Sequence, residues 1–243
     1  MKNLKPNIKA SDNSIAIVGW HEGLAGQIHA WLERYTNYRV ACFINPADVP
    51  PQITKIQRDA TQFSYPTESS FKDRPLVNSS NWFKILKELG INKVLVTTDN
   101  MKERYEQINQ ARENGLQLIN AIHPTAIIME DAIIYDNVIL DAKVFVGYRA
   151  EVFSGVVMHT GAQIDHHCVL RECATIDPGV VFASNVTVGK FTRVHTGAVC
   201  KNRIKIGENS IIGAGSVIIE NVPDNVTVVG VPGKIIKHHK QNL

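Results

Sequence analysis

The sequence predicts two domains and a tail: a small parallel α/β sheet over residues 1–119, a solenoid of short stacked strands over 120–220, and a tail over 221–243. Three observations predict this division. Before Asn120, short apolar runs alternate with helix-like segments, the pattern of a parallel α/β domain. After Asn120, an apolar residue recurs at every sixth position. The two patterns do not overlap, so the boundary falls between them.

In the first domain, residues 14–18 (SIAIV) form an apolar run closed by Gly19, and residues 24–35 follow with helical spacing. Residues 39–44 (RVACFI) read as a second strand closed by Asn45-Pro46. The stretch 46–75 carries Pro46, Pro50, Pro51, Pro66 and Pro75 and reads as loop. A helix over 81–89, a strand over 93–98, a helix over 101–114 stopped by Gly115, and a strand over 116–119 complete a small Rossmann-like sheet. Ligands of such sheets sit beyond the carboxyl ends of the strands. The turn 19–26 (GWHEGLAG) lies there, and its glycines let backbone N–H groups and a helix N-terminus approach a phosphate. The spacing is not GxGxxG, and no acidic residue directly follows the second strand; Asp48 is the nearest. A plain tight turn is the competing reading.

In the second domain, Ile122, Ile128, Ile134, Leu140, Val146, Val152 and Met158 begin a series that runs by sixes through Ile164, Leu170 and Ile176 to Ile218. Two residues before these positions the side chains are mostly small, as at Ala126, Ala132, Ala150, Ala162 and Ala174. A helix needs a period near 3.6 and cannot hold a six-residue step on one face. Short strands joined by corners can, because strand side chains alternate every two residues. Stacked coils, each burying large and small residues, satisfy the pattern.

Composition narrows the function classes. The 243 residues carry 26 Lys+Arg and 23 Asp+Glu, net +3, which argues against a nucleic-acid or polybasic membrane binder. No apolar stretch approaches a spanning helix, and the polar start (MKNLKPNIKASDN) lacks a signal-peptide core, so a cytoplasmic protein is expected. Cys42, Cys168, Cys173 and Cys200 form no CxxC pair and read as reduced, packed thiols.

The aliphatic-glycine steps Val146-Gly147, Val188-Gly189, Ile206-Gly207 and Ile212-Gly213 complete a hexapeptide repeat that resembles the left-handed parallel β-helix of the hexapeptide acyltransferases. With the α/β domain in front, the chain resembles the sialic acid O-acetyltransferase type of sugar acetyltransferase, which includes N-acetyltransferases of nucleotide-linked 4-amino sugars in surface-glycan synthesis. The segments 121–126 (AIHPTA), 159–162 (HTGA), 164–169 (IDHHCV), 213–217 (GAGSV) and 229–233 (VGVPG) carry the resemblance. It implies a homotrimer that uses acetyl-CoA as co-substrate and no metal, with a nucleotide-linked amino sugar as acceptor. It also implies direct transfer of the acetyl group to the amine.

By the same resemblance His166 is the general base, a role an imidazole fills at neutral pH. The repeat register puts it two residues past inward Ile164, on the outer wall. The position after the base is acidic in relatives and is His167 here. Asp165 or Glu172 can take the place of that carboxylate, or a different group, His167 among them, supports the imidazole. A second histidine of the amino-sugar enzymes corresponds to Thr175. The resemblance assigns acetyl-CoA contacts to Thr175, Ser184, Thr196 and Ala214, with the backbone N–H of Ser184 as oxyanion donor. It assigns the nucleotide sugar to Gly19, Trp20, His21, Glu22, Gly23 and Asn45. The basic tail (Lys234, Lys237, His238, His239, Lys240) is either a CoA-phosphate contact or a solvated end. Cys168 faces inward and is a poor nucleophile.

Three rivals stand beside the N-acetyltransferase: a sugar O-acetyltransferase, a non-catalytic nucleotide-sugar-binding protein, and a zinc hydratase on the same prism. The hydratase would need two histidines five residues apart, and His123, His159, His166, His167 and His195 provide no such pair.

Overall fold

The computed structural model describes residues 8, 10–52 and 65–239. The middle of the expected loop (53–64) and Lys240 lie outside them. The chain divides into two compact units, Met1–Ile119 and Asn120–Leu243.

The first unit is a six-stranded sheet of β1 (Ser14–Val18), β2 (Arg39–Asn45), β3 (Ser70–Phe71), β4 (Arg74–Asn78), β5 (Lys93–Val96) and β6 (Gln117–Leu118), ordered β3-β4-β2-β1-β5-β6. All pairings are parallel except the β3–β4 hairpin. Helices α1 (Gln27–Tyr35), α2 (Trp82–Glu88) and α3 (Met101–Glu113) connect the strands. Central β1 is buried at every residue, which is why residues 15–18 are continuously apolar. The chain winds outward from β1 through β2 and β4, then returns to β5 on the other side. The order therefore reverses between β1 and β5, and the carboxyl ends of strands at such a reversal are where ligands of these sheets bind. Two features depart from expectation. A π-helical turn, Glu22–Gly26, precedes α1 where a plain helix was expected from 24. The expected loop 46–75 contains β3 and the start of β4. Pro75 hid this hairpin, since proline argues against a strand. It is tolerated beside a two-residue edge strand, opposite Ser70.

The second unit is a left-handed parallel β-helix. Two-residue strands repeat every six residues and pair with strands eighteen residues on, as in Val146↔Ile164↔Phe182 and Val152↔Leu170↔Val188. Three hexapeptides thus close one coil, and three parallel sheets form the faces of a prism. The inward positions from Leu140 to Ile218 are at most 2% exposed and form one continuous core. Period six also appears in the backbone: every sixth residue from Asp131 to Gly215 has positive φ, at the corners. Gly and Asn accept this conformation readily, whereas Lys143, Arg149, His167, Phe191 and Arg203 adopt it at a cost of about 1 kcal/mol or more each. The expected tail 221–243 continues the prism: Val226–Val229 joins the first face and Lys234–His238 folds back antiparallel on it. No helix among the described residues is long and apolar enough to cross a membrane.

Candidate active site

The corner between the second and third faces carries His166 and His167. Both are exposed. The strand Gln163–Ile164 buries Ile164 and turns the chain outward at Asp165. Asp165 caps this turn, its Oδ1 accepting from the His166 N–H at 2.7 Å. The positive φ of His167 (59°) folds its side chain back toward its neighbour. His166 Nδ1 and His167 Nδ1 lie 2.8 Å apart with their rings nearly perpendicular. One nitrogen must donate and the other accept. If His166 holds its proton on Nδ1, its Nε2 presents a lone pair to solvent, the tautomer a general base needs. The partner of His166 is thus His167. Asp165 is spent on the backbone, and Glu172 faces Lys190 at 3.7 Å from another corner.

Ser184 lies on the same ridge one coil further, where Asn185 N–H donates to the His166 carbonyl at 3.0 Å. Tyr148 and Arg149 lie one coil earlier, the Tyr148 ring 6.0 Å from that of His167 and the Arg149 guanidinium over Tyr148 at 4.9 Å. Neither was singled out in the sequence. Thr196 and Ala214 stand together on the corner between the first and second faces, both exposed, with the Gly215 N–H on the Thr196 carbonyl at 2.9 Å. Thr175, expected beside the acetyl group, lies on the first face with 1% exposure, which leaves its side chain no surface for a ligand. Within one chain the structure brings His166, His167 and Ser184 together, and Thr196 with Ala214, but holds these two sets on different corners.

That first-face corner also holds a ladder the sequence reading missed. His123, Asp141, His159, Asp177 and His195 follow one another at eighteen-residue steps. His159 Nδ1 meets Asp141 Oδ2 at 2.9 Å, and His195 Nδ1 meets Asp177 Oδ2 at 2.8 Å. The signal was legible once residues eighteen apart are counted as neighbours. Among the described residues, no cluster of His, Cys, Asp or Glu is placed to hold a metal ion.

All four cysteines are buried. Burial pushes the Cys168 thiol up to about 11 and those of Cys42 and Cys200 to about 12, so none of these three is a thiolate at neutral pH. We expect no cysteine to react with a thiol reagent in the native protein below about pH 9, and full labelling after denaturation. Rapid native labelling of Cys168 would contradict its placement.

In the first unit, Gly19 ends β1 with φ 123°, its N–H on the Ile44 carbonyl at 2.8 Å. A Cβ there would fall 2.5 Å from Thr97 Oγ1. Gly19→Ala should therefore lower stability by about 1–3 kcal/mol, read as a drop in melting temperature. Trp20 stacks on His21 with ring centroids 4.3 Å apart just past the carboxyl end of β1. Gly23 is exposed in the π-helical turn, while Glu22 turns back over Gly26 to pair with Lys72. The Asn45 amide donates to Asn78 Oδ1 and to the Val49 carbonyl. Asp48 is bound to the Ser80 N–H and hydroxyl, which hold its carboxyl below the usual range.

The prism with a Rossmann-like sheet before it is the architecture of hexapeptide-repeat sugar acetyltransferases, and the chain shares that fold. Among solved structures it is similar to PerB, a perosamine N-acetyltransferase from Caulobacter crescentus, with TM-score 0.79, 24% identity and coverage of 93% of this chain and 99% of that one. The acetyltransferase domain of PglB from Neisseria gonorrhoeae gives 0.77, 24%, 93% and 100%. By sequence, the serine acetyltransferase of Buchnera aphidicola subsp. Schizaphis graminum is 32% identical over 120 residues, 49% of this chain and 36% of that protein. That of Bacillus subtilis is 35% identical over 106 residues, 35% of this chain and 49% of that protein. The chain thus spans less than half the length of these curated relatives. No protein-family model matches it.

Proposed function

We propose that the chain is an acetyl-CoA-dependent N-acetyltransferase acting on the amine of a nucleotide-linked amino sugar. The observation that carries this reading is the exposed His166 imidazole, held through Nδ1 by His167 with Ser184 one coil away. His166 Nε2 takes the proton as the amine attacks the thioester carbon, and the Ser184 N–H receives the oxyanion. Thr196 and Ala214 line the CoA path from a neighbouring copy in a homotrimer. The trimer reading is supported by exposed apolar side chains on the outer side of the second face, Ile127 (57%), Val181 (39%) and Val199 (42%). The turn Gly19–Gly26 at the carboxyl end of β1 holds the nucleotide, with Trp20, His21, Glu22, Gly23 and Asn45 as its contacts. Solved structures with this fold carry CoA and GDP-perosamine, which supports the donor and acceptor classes. Transfer to a hydroxyl is the second reading, favoured by the serine acetyltransferase relatives.

The test is release of free CoA thiol from acetyl-CoA with a panel of GDP-, UDP- and dTDP-linked 4-amino sugars and their 4-hydroxy counterparts. The buried cysteines keep the background low. Thiol release with an amino sugar supports the proposal, release with hydroxy sugars alone moves the assignment to O-transfer, and silence across the panel overturns both.

A further inference from the structure

We propose that His159, oriented by Asp141, is a second proton acceptor of the same transfer and removes the first proton of an ammonium acceptor. The inference rests on the N-acetyltransferase reading. Asp141 is 5% exposed, and a carboxylate so enclosed needs a partner. His159 Nδ1 supplies it at 2.9 Å, which fixes the proton on Nδ1 and leaves Nε2 as acceptor. The dyad stands immediately before Thr160, on the corner that carries Thr196 and Ala214 two and three coils on. The His195–Asp177 pair has the same geometry but a different electrostatic setting. The Arg193 guanidinium already binds both Asp177 oxygens at 3.2–3.3 Å, so a proton arriving on His195 would meet an existing cation. Among the described residues, the cation that pairs with Asp141 is His159. Its charge is therefore available to an imidazolium at His159.

The chemistry of an amine acceptor requires two acceptors. An aliphatic amine with a pKa of about 8 enters at neutral pH as an ammonium, whose nitrogen has no lone pair. One proton passes to His159 Nε2, and the freed lone pair forms the N–C bond at the thioester carbon. The adduct nitrogen then loses its second proton to His166 Nε2. The C–S bond breaks, its electron pair leaves on sulfur, and the thiolate takes the proton from His166. His159 releases its proton to solvent. A hydroxyl acceptor, neutral on arrival, needs one base. Within one chain His159 and His166 stand on different corners, so under the trimer reading the shared acceptor lies between His166 of one copy and His159 of a neighbouring copy.

The experiment compares kcat of the wild type, His159→Asn, Asp141→Asn and His166→Asn with the amino sugar active in the panel, at about pH 7 and about pH 9.5. We expect His159→Asn and Asp141→Asn to lose about tenfold at the lower pH, where about a tenth of an amine of pKa about 8 is free, and to recover to about the wild-type kcat at the higher. There the acceptor arrives as free amine and the first proton is already gone. His166→Asn should stay impaired at both. A His159→Asn defect equal at both pH values, or no defect, overturns the proposal while an impaired His166→Asn leaves the parent reading standing. An unimpaired His166→Asn removes the parent reading. Because His159→Asn strands a buried carboxylate, the double variant Asp141→Asn/His159→Asn provides the same test without an unpaired charge.

Discussion

His166→Asn should lower kcat by about a hundredfold or more, while CoA binding and oligomeric state stay unchanged. Asparagine keeps the size and a hydrogen-bonding group at the corner, so the loss would report the missing lone pair and not a disturbed coil. The His167 contact adds a finer expectation. His167→Ala leaves the His166 Nδ1 proton without its acceptor, freeing the ring to rotate and to take the other tautomer. A fall of about tenfold in kcat with little change in KM is expected, since orientation of the base matters most in the transition state. His167→Asp should restore the lost rate, because a carboxylate accepts the same proton and stabilises the imidazolium that forms. Activity unaffected by His166→Asn would remove this side chain from proton transfer. Failure of His167→Asp to exceed His167→Ala would reduce His167 to a corner residue.

The contrast between the two histidines shows what a sequence can carry. The outward placement of His166 follows from register: Ile164 must be inward, and two residues on the chain has passed the corner. Its partner does not follow. His167 reaches back because its φ is positive, and histidine gives little sign of this, unlike the Gly and Asn found at Gly161, Gly179 and Asn185. Glu172 was a plausible partner by distance along the chain, yet six residues past His166 is one full corner away. The prism itself was legible because burial imposes its period on every sixth residue. The His159–Asp141 and His195–Asp177 pairs were as regular but lay eighteen residues apart, a neighbour relation that exists only after three hexapeptides close a coil. In the first unit, apolar strands announced themselves, whereas the β3–β4 hairpin, held by two residues beside Pro75, had too little pattern to be read.

Gly147→Ala should damage both the fold and the site, and its comparison with Gly189→Ala separates the two effects. Coils stack at strand spacing, and at Gly147 the next coil passes so close that a Cβ would lie 2.5 Å from the Asp165 carbonyl carbon and 2.6 Å from the His166 nitrogen. Both are backbone atoms and cannot swing aside as a side chain can. Relief requires the Asp165–His166 segment to move, at an overpacking cost of about 1–3 kcal/mol. That segment is the one that aims the imidazole. A displacement near 1 Å costs about a hundredfold in a positioned reaction, so kcat should fall by that order even in the folded fraction. Gly189 is an internal control. A Cβ there would meet Glu208 N and the Gly207 carbonyl carbon at 2.6 Å, the same strain against the next coil, away from His166. Gly189→Ala should match Gly147→Ala in lost melting temperature yet keep most of its kcat. Equal losses of activity in the two would assign the effect to global stability. Full activity in Gly147→Ala would mean that the position of the His166 backbone does not limit the reaction.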